Sequence, residues 1–240
     1  MLPFSFLKPM ARKLKEQPHF KLKQIKPLTK TQEDVFHDFF QGQNLILHGV
    51  AGTGKTFVSL YLALNEIFKA SGQYEKIIIL RSVVPSRDIG FLPGSLKEKT
   101  EIYEEPYKII CNELFQRGDG YTNLRQKNVI EFCVTSFLRG LTFNNCIIIV
   151  DEMQNMSYQE LATIITRVGE NCRIFFCGDY EQTDLHREKE KEGLLHFLNV
   201  IKEMKEFNFI QFNYFDIVRS PLVKNFIIAE SEYKKKKNMS

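Results

Sequence analysis

The sequence lacks any apolar run long enough to cross a membrane, since a spanning helix needs about 20 predominantly apolar residues. It has no internal repeat, and its first residues place a short apolar patch before the basic ones, the wrong order for a secretory signal. With 43% hydrophobic and 26% charged residues, the composition is typical of a soluble globular protein. We therefore expect a cytoplasmic protein with no membrane partner.

The cysteines form no C-x-x-C pair, and none has a companion histidine at metal-ligand spacing. This pattern disfavours a metal site and thiol-based catalysis. Four of the five lie in or beside apolar, strand-like runs, so we expect buried free thiols in a reducing compartment. The cysteines are Cys111, Cys133, Cys146, Cys172 and Cys177.

Net positive charge is absent between the two ends of the chain. Residues 1–30 carry +7 and Lys234–Lys237 add +4, so the remainder carries −7 although the whole chain carries +4. Basic ends are candidate arms for RNA or single-stranded DNA, because phosphate contacts are electrostatic and blind to sequence. Solvated, solubilising ends explain the same charges, and the acidic remainder argues against a broad basic groove.

One stretch organises the chain: a short apolar run, a glycine-rich loop, and Lys-Thr at the start of a helical pattern. The spacing Gly49-x4-Gly54-Lys55-Thr56 fits a P-loop. In such a loop the backbone N–H groups converge on a phosphate, and the helix N-terminus adds its positive dipole end. Lys55 is expected to reach the β- and γ-phosphates of ATP, and Thr56 to bind Mg²⁺. The predicted nucleotide ligands here are Gly49, Val50, Ala51, Gly52, Thr53, Gly54, Lys55 and Thr56.

Apolar runs alternate with helical patterns along most of the chain, which predicts a mostly parallel sheet with helices on both faces, a three-layer α/β fold. We predict strands at 44–49, 76–81, 129–135, 146–152, 173–177 and 207–215, the last near an edge. Predicted helices begin after Thr29, at the P-loop, near 95, at a capping box of Ser157 and Glu160, near 187 and near Pro221, the last fraying into Lys234–Lys237.

The domain organisation follows from the same pattern. We predict a basic N-terminal extension over 1–27, a single ATPase domain over 28–230 and a basic tail over 231–240. A long loop with two prolines, followed by an acidic helical region, predicts an insertion or lid at about 85–127.

Two carboxylates end the fourth strand, at the sheet edge where ligands gather in such folds. Asp151 is expected to hold Mg²⁺ together with Thr56, and Glu152 to orient and deprotonate the attacking water. A carboxylate beside the magnesium aspartate suits water better than a bound substrate hydroxyl. Hydrolysis is therefore the predicted chemistry.

Each of the other polar candidates has both a functional and a purely structural interpretation. Gln182 follows the fifth strand and is the better candidate than Asp179 for sensing the γ-phosphate, although a simple turn explains both. Gln32 is either an adenine reader or a solvent-facing residue. Arg81 and Arg219 are candidates for phosphate contact, and a surface salt bridge is the alternative for each.

Seven motifs that follow one another along about 28–230 resemble the PhoH family of P-loop ATPases. The most specific are the Gly-Phe-Leu-Pro-Gly and Asp-Glu-Met-Gln-Asn strings. The motifs are Thr29-x-x-Gln32, Gly49 to Thr56, Arg81-Ser82-Val83-Val84, Gly90-Phe91-Leu92-Pro93-Gly94, Val150-Asp151-Glu152-Met153-Gln154-Asn155, Gly178-Asp179-Tyr180-Glu181-Gln182-Thr183-Asp184-Leu185 and Val218-Arg219-Ser220-Pro221-Leu222-Val223.

The resemblance implies a RecA-like core related to superfamily 1 helicase motors. It also implies Gln32 as adenine reader, Glu152 as base, Gln182 as γ-phosphate sensor and Arg219 as an arginine finger. A homo-oligomeric ring is implied, expected to be a hexamer in which Arg219 completes a neighbour's site. The short chain with basic ends resembles phage-encoded members, for which the location is the host cytoplasm.

Two functions from different classes follow. The first is a Mg²⁺-dependent ATPase that remodels RNA or single-stranded DNA as a helicase-like ring. The second is an ATP-gated binding or assembly module with slow turnover and no motor activity. A small-molecule kinase is disfavoured, because nothing in the sequence resembles an acceptor site.

Overall fold

The structure of the protein, a computed structural model, describes residues 21–69, 72–82, 96–138, 140–179 and 188–238. Within these ranges strands and helices alternate. The strands are β1 (Asn44–Gly49), β2 (Lys76–Arg81), β3 (Ile130–Val134), β4 (Cys146–Asp151), β5 (Arg173–Gly178) and β6 (Phe207–Phe212). The helices are α1 (Lys30–Phe40), α2 (Lys55–Ile67), α3 (Leu96–Phe115), α4 (Gly120–Gln126), α5 (Tyr158–Arg167), α6 (Glu188–Lys202) and α7 (Pro221–Asn238).

All six strands lie in one parallel sheet with the order β3-β2-β4-β5-β1-β6. The P-loop strand β1 therefore lies between β5 and β6, and β5 separates it from β4. The predicted edge position of the sixth strand is confirmed. Because every strand points the same way, the loop after β1 and the ends of β2, β4 and β5 meet at one edge.

Helices cover both faces of this sheet. Along β2, Ile77 and Ile79 pack on one face with α1 to α4, and Ile78 and Leu80 pack on the other with α5 and α6. This alternation explains why the strands are apolar throughout, since each side chain is buried against one helix layer or the other. The predicted fold class, a parallel sheet with helices on both faces in a three-layer α/β arrangement, is confirmed.

Local signals in the sequence set several helix starts. The Thr29 hydroxyl accepts from the backbone N–H of Gln32 at 3.2 Å, and Ser157 and Glu160 form the predicted capping box. Each such cap satisfies backbone donors that the first turn leaves unpaired. None of the described helices combines the length and apolar character that a membrane span requires.

Two predicted ends differ from the structure by more than one residue. The sixth strand stops at Phe212 rather than 215, because Asn213 and Asp216 form a capping box that starts a short 3₁₀ turn. The last helix does not fray into Lys234–Lys237 but continues to Asn238. Lysines close to a helix C-terminus offset the negative end of its dipole, which favours the longer helix.

Within 96–127, the described part of the predicted 85–127 insertion, several side chains pack into the main core, and the insertion itself stays a prediction. Tyr107, Cys111 and Leu124 are fully buried in the cluster that includes α2. The described segment before α1 joins them, since Lys23 N donates to the Leu114 carbonyl at 2.8 Å. Residues 83–95, with the Gly-Phe-Leu-Pro-Gly motif, lie outside the described residues. The boundaries at 27 and 230 stay predictions.

Candidate functional site

A cavity of about 1030 Å³ opens where the carboxyl ends of the strands meet. Its wall combines the loop residues 51–56 with Asp151 and Glu152 from the end of β4, and Gly178 and Asp179 from the end of β5. The structure thus brings together the P-loop and the two carboxylates that the sequence predicted as one site.

The backbone at Gly49 admits only glycine. Its φ is +113°, and a Cβ there would lie 2.1 Å from the carbonyl oxygen of Phe212 on the neighbouring strand β6. That carbonyl accepts from Val50 N at 3.2 Å. Close approach of β1 and β6 therefore fixes the point at which the loop leaves the sheet.

The Lys55 ammonium lies against its own loop. Its Nζ donates to the carbonyl of Gly49 at 2.6 Å and to that of Val50 at 2.8 Å. Burial lowers the pKa of Lys55, and the nearby charge of Asp179 acts in the opposite direction. A partly buried cation beside the loop N–H groups makes this part of the cavity suitable for an anion.

Thr56 and Asp151, distant in the sequence, are in direct contact. The Thr56 hydroxyl donates to Asp151 Oδ1 at 2.8 Å, and the Tyr107 hydroxyl donates to Asp151 Oδ2 at 2.8 Å. Burial, together with the charge of Glu152, raises the pKa of Asp151. A cation beside Asp151 would offset that buried charge.

The donor set fits Mg²⁺ held jointly with phosphate. Thr56 and Asp151 supply hard oxygen ligands, and Mg²⁺ characteristically uses one or two carboxylates plus substrate phosphates and water. The described residues hold no group of three or more His, Cys, Asp or Glu side chains that would bind a metal alone. Nucleotide phosphates and water would supply the remaining ligands of a Mg²⁺ ion held here.

Glu152 lines the cavity in a left-handed backbone conformation, with a φ of +54°. Such a φ costs a non-glycine residue about 1–3 kcal/mol and is often found at functional sites. Gln154 donates its amide to Glu152 Oε2, and its Oε1 accepts from Asp179 N at 3.1 Å. A Cβ at Gly178 would lie 2.4 Å from Gln154 Oε1, so glycine there lets the amide reach between β4 and β5.

Gln32 is buried behind the P-loop, so the solvent-facing alternative is wrong. Its Nε2 donates to the Thr53 carbonyl at 3.0 Å, and its Oε1 accepts from Leu28 N at 2.9 Å. Gln32 thus braces the loop, and adenine recognition by this residue stays a prediction.

Both arginines that the sequence left open line the same cavity. Arg81 ends β2, with its guanidinium carbon 5.6 Å from the centre of the Tyr103 ring. Arg219 lies beside the P-loop of its own chain, since a Cβ on Gly52 would be 3.1 Å from Arg219 Cγ. Val218 N also donates to the Gly52 carbonyl at 3.1 Å, which holds this segment on the loop.

Three further residues bear on the predicted site, one of them undescribed and two without a predicted role. Gln182 lies outside the described residues, so its proposed sensor role stays a prediction. Tyr107 was missed, because nothing in a helical sequence indicates which hydroxyl will reach a strand 44 residues away. Gln154 lies in the Asp-Glu-Met-Gln-Asn motif without a predicted role, although an amide two residues after Glu152 is a usable signal.

Comparison with known proteins identifies the family. Residues 24–230 match the family described as PhoH-like protein. A PhoH-like protein of Synechocystis sp. is 32% identical over 193 residues, which is 80% of this chain and 57% of that protein. Protein PhoH of Escherichia coli is 31% identical over 191 residues, 79% of this chain and 53% of that protein. The chain thus spans little more than half the length of these curated relatives.

Solved structures give a more distant likeness. The large terminase from a thermophilic bacteriophage, in complex with ADP, aligns with 83% of this chain and 49% of that chain at 15% identity, with a TM-score of 0.49. A likeness at that level carries no argument about function. The match over 24–230 does identify the family: the chain belongs to the PhoH-like proteins.

Proposed function

We propose that the protein binds ATP with Mg²⁺ and hydrolyses it. One observation carries the proposal: Thr56 contacts Asp151 at 2.8 Å in a cavity that Lys55 and Glu152 also line. This arrangement combines phosphate binding, a hard-cation site and a candidate base within one space. A structural glycine loop alone would not explain why two carboxylates are brought to it.

Each group has a role that its position suits. The N–H groups of 51–56 and the side chains of Lys55 and Arg219 bind the phosphates. Thr56 and Asp151 hold Mg²⁺, which when bound neutralises the charge that develops on the phosphate oxygens. Glu152 accepts a proton from the attacking water, and Gln154 orients its carboxylate.

We propose that Gln32 recognises the adenine base and that Gln182 senses the γ-phosphate. Gln32 lies directly behind Thr53, so its amide can respond to a base bound beside the loop. Gln182 follows β5, whose end lines the cavity. We also expect the protein to work in the cytoplasm, in keeping with five thiols that are all free.

Arg219 is proposed to act on the site of its own chain. The family resemblance implies a ring in which this residue reaches a neighbour, but the contact with Gly52 favours the intramolecular role. A hexameric ring and action on RNA or single-stranded DNA are proposed separately, and rest on the family and on the basic ends of the chain.

An ATP-gated assembly module is the second candidate, and α7 favours it. Beside the cavity this helix exposes Leu222 by 80% and Phe226 by 65%, and none of its residues whose exposure is described is buried. Exposed apolar side chains next to a nucleotide cavity suit a docking surface that responds to the nucleotide.

ATP turnover, measured with and without RNA or single-stranded DNA, tests these proposals together. Stimulation severalfold by nucleic acid supports a motor or remodelling ATPase. Slow turnover that nucleic acid leaves unchanged, with nucleotide-dependent assembly, supports the second candidate. Undiminished ATP binding and turnover by Lys55→Ala would overturn the phosphate-site assignment.

A further inference from the structure

Tyr107 connects α3 to the predicted magnesium site. It is fully buried, it packs against Phe132 with 5.8 Å between ring centres, and its hydroxyl donates to Asp151 Oδ2 at 2.8 Å. A phenylalanine at this position could make the same packing contacts, and no hydroxyl would have to be removed from water. Burying a hydroxyl is unfavourable unless it is hydrogen-bonded, so the contact with Asp151 is what this tyrosine offers beyond packing.

The contact belongs to a wider arrangement at the sheet edge. Arg81 and Asp151 are register partners at the ends of the adjacent strands β2 and β4. Tyr103 and Tyr107 are one helical turn apart on α3, so they share a face. The first contacts the guanidinium of Arg81, and the second hydrogen-bonds Asp151. One face of α3 therefore fixes two polar ends of the sheet.

Asp151 is held from two sides as a result. Thr56, from the P-loop helix, occupies Oδ1, and Tyr107, from α3, occupies Oδ2. Groups that hydrogen-bond a metal-ligating carboxylate set its orientation, and their loss typically lowers metal affinity 10- to 100-fold. The Tyr107 hydroxyl is placed to do this for Asp151.

We propose that Tyr107 is a positioning residue that orients Asp151 toward Mg²⁺ and couples α3 to occupancy of the nucleotide site. The proposal rests on the proposed ATP and Mg²⁺ site. By linkage, if α3 favours Mg²⁺ binding, bound Mg²⁺ and nucleotide stabilise α3 by the same free energy. The proposed role of Tyr107 can therefore be measured both in Mg²⁺ binding and in the stability of α3.

Tyr107→Phe removes the hydroxyl and keeps the ring. Tyr121→Phe is the matched control, because Tyr121 is also buried in the α3–α4 region and donates to a carboxylate, Glu104, at 2.6 Å. Neither Tyr121 nor Glu104 lines the cavity. The readout is the Mg²⁺ concentration that gives half-maximal binding of a fluorescent ATP analogue, with hydrogen exchange of α3 amides as the second measurement.

We expect the Mg²⁺ midpoint of Tyr107→Phe to rise about 10-fold or more and that of Tyr121→Phe to match the wild type. Saturating Mg²⁺ and ATP analogue should slow exchange in α3 of the wild type and of Tyr121→Phe, but not of Tyr107→Phe. Equal midpoints for the two variants and the wild type would overturn the positioning role. If the wild type shows no Mg²⁺-dependent nucleotide binding, the proposed function fails instead.

Discussion

The amide of Gln154 joins the ends of two strands: its oxygen accepts from the backbone N–H of Asp179 at 3.1 Å, and its nitrogen donates to Glu152. The candidate base is therefore held by a side chain that is itself anchored on β5. Movement at the end of β5 would be transmitted to the carboxylate through this one amide.

Gln154→Ala tests that relationship. Without the amide Glu152 loses its orientation while the phosphate ligands stay, so we expect kcat for ATP to fall about 10- to 100-fold with KM nearly unchanged. Gln159→Ala, on the exposed surface of α5, is the matched control and should behave as wild type. An equal loss in kcat and ATP affinity would point to general disruption of the loop instead.

Replacing Gly49 tests the geometry of the P-loop entrance. In Gly49→Ala the new methyl group would meet the Phe212 carbonyl at 2.1 Å and would sit at a φ of +113°, so β1 and β6 must separate. We expect the free energy of unfolding in urea to fall by about 3 kcal/mol or more.

Gly118→Ala is the control for that substitution, because a Cβ there meets nothing within 4 Å. Its free energy of unfolding should stay within about 0.5 kcal/mol of the wild type. Comparable losses for the two alanine variants would refute the close approach of β1 and β6.

His48, just before the P-loop, makes stability depend on pH. Burial, with the charges of Lys202 and Lys55, lowers the pKa of His48 to about 4. An unfolded histidine has a pKa of about 6.5, so the unfolded chain binds more protons between these two values. The stabilisation is complete above pH 6.5 and is lost as the pH falls toward 4.

Urea unfolding at a series of pH values measures this effect. The free energy of unfolding of the wild type should fall more steeply between about pH 6.5 and about pH 4 than that of His48→Gln. Parallel curves for the wild type and His48→Gln would mean that His48 is not held neutral by the fold.

Much of the fold was predictable because its signals are local. The strands are continuous apolar runs, and the capping boxes and glycine breaks lie beside them in the sequence. The sixth strand was predicted too long, although Asn213-x-x-Asp216 is itself a local cap signal. The order of the strands and the packing of α3 into the core depend on contacts between distant segments, which no local pattern encodes.

In the candidate site, too, the locally signalled residues were predictable and the long-range contact was not. Lys55, Thr56, Asp151 and Glu152 follow recognisable strands, so their convergence at one sheet edge was predictable. The contact of Tyr107 with Asp151 was not, because it depends on how α3 crosses the sheet.

Mixing variants tests whether Arg219 serves its own site. Arg219→Ala should lower kcat about 10²-fold or more, since an arginine that stabilises the transferring phosphoryl group is worth about 10³–10⁵ in rate. Adding inactive Lys55→Ala subunits should restore nothing, because the arginine they carry reaches only their own loop. Recovery of activity on mixing would instead support action across an interface.

The central claim, that this cavity hydrolyses ATP with Glu152 as base, is tested most directly by Glu152→Gln. The account predicts that the variant binds ATP and Mg²⁺ with nearly wild-type affinity and that single-turnover hydrolysis slows about 10²- to 10⁴-fold. Glu203→Gln, at an exposed position just after α6, should hydrolyse ATP as the wild type does. Wild-type hydrolysis by Glu152→Gln would contradict the account.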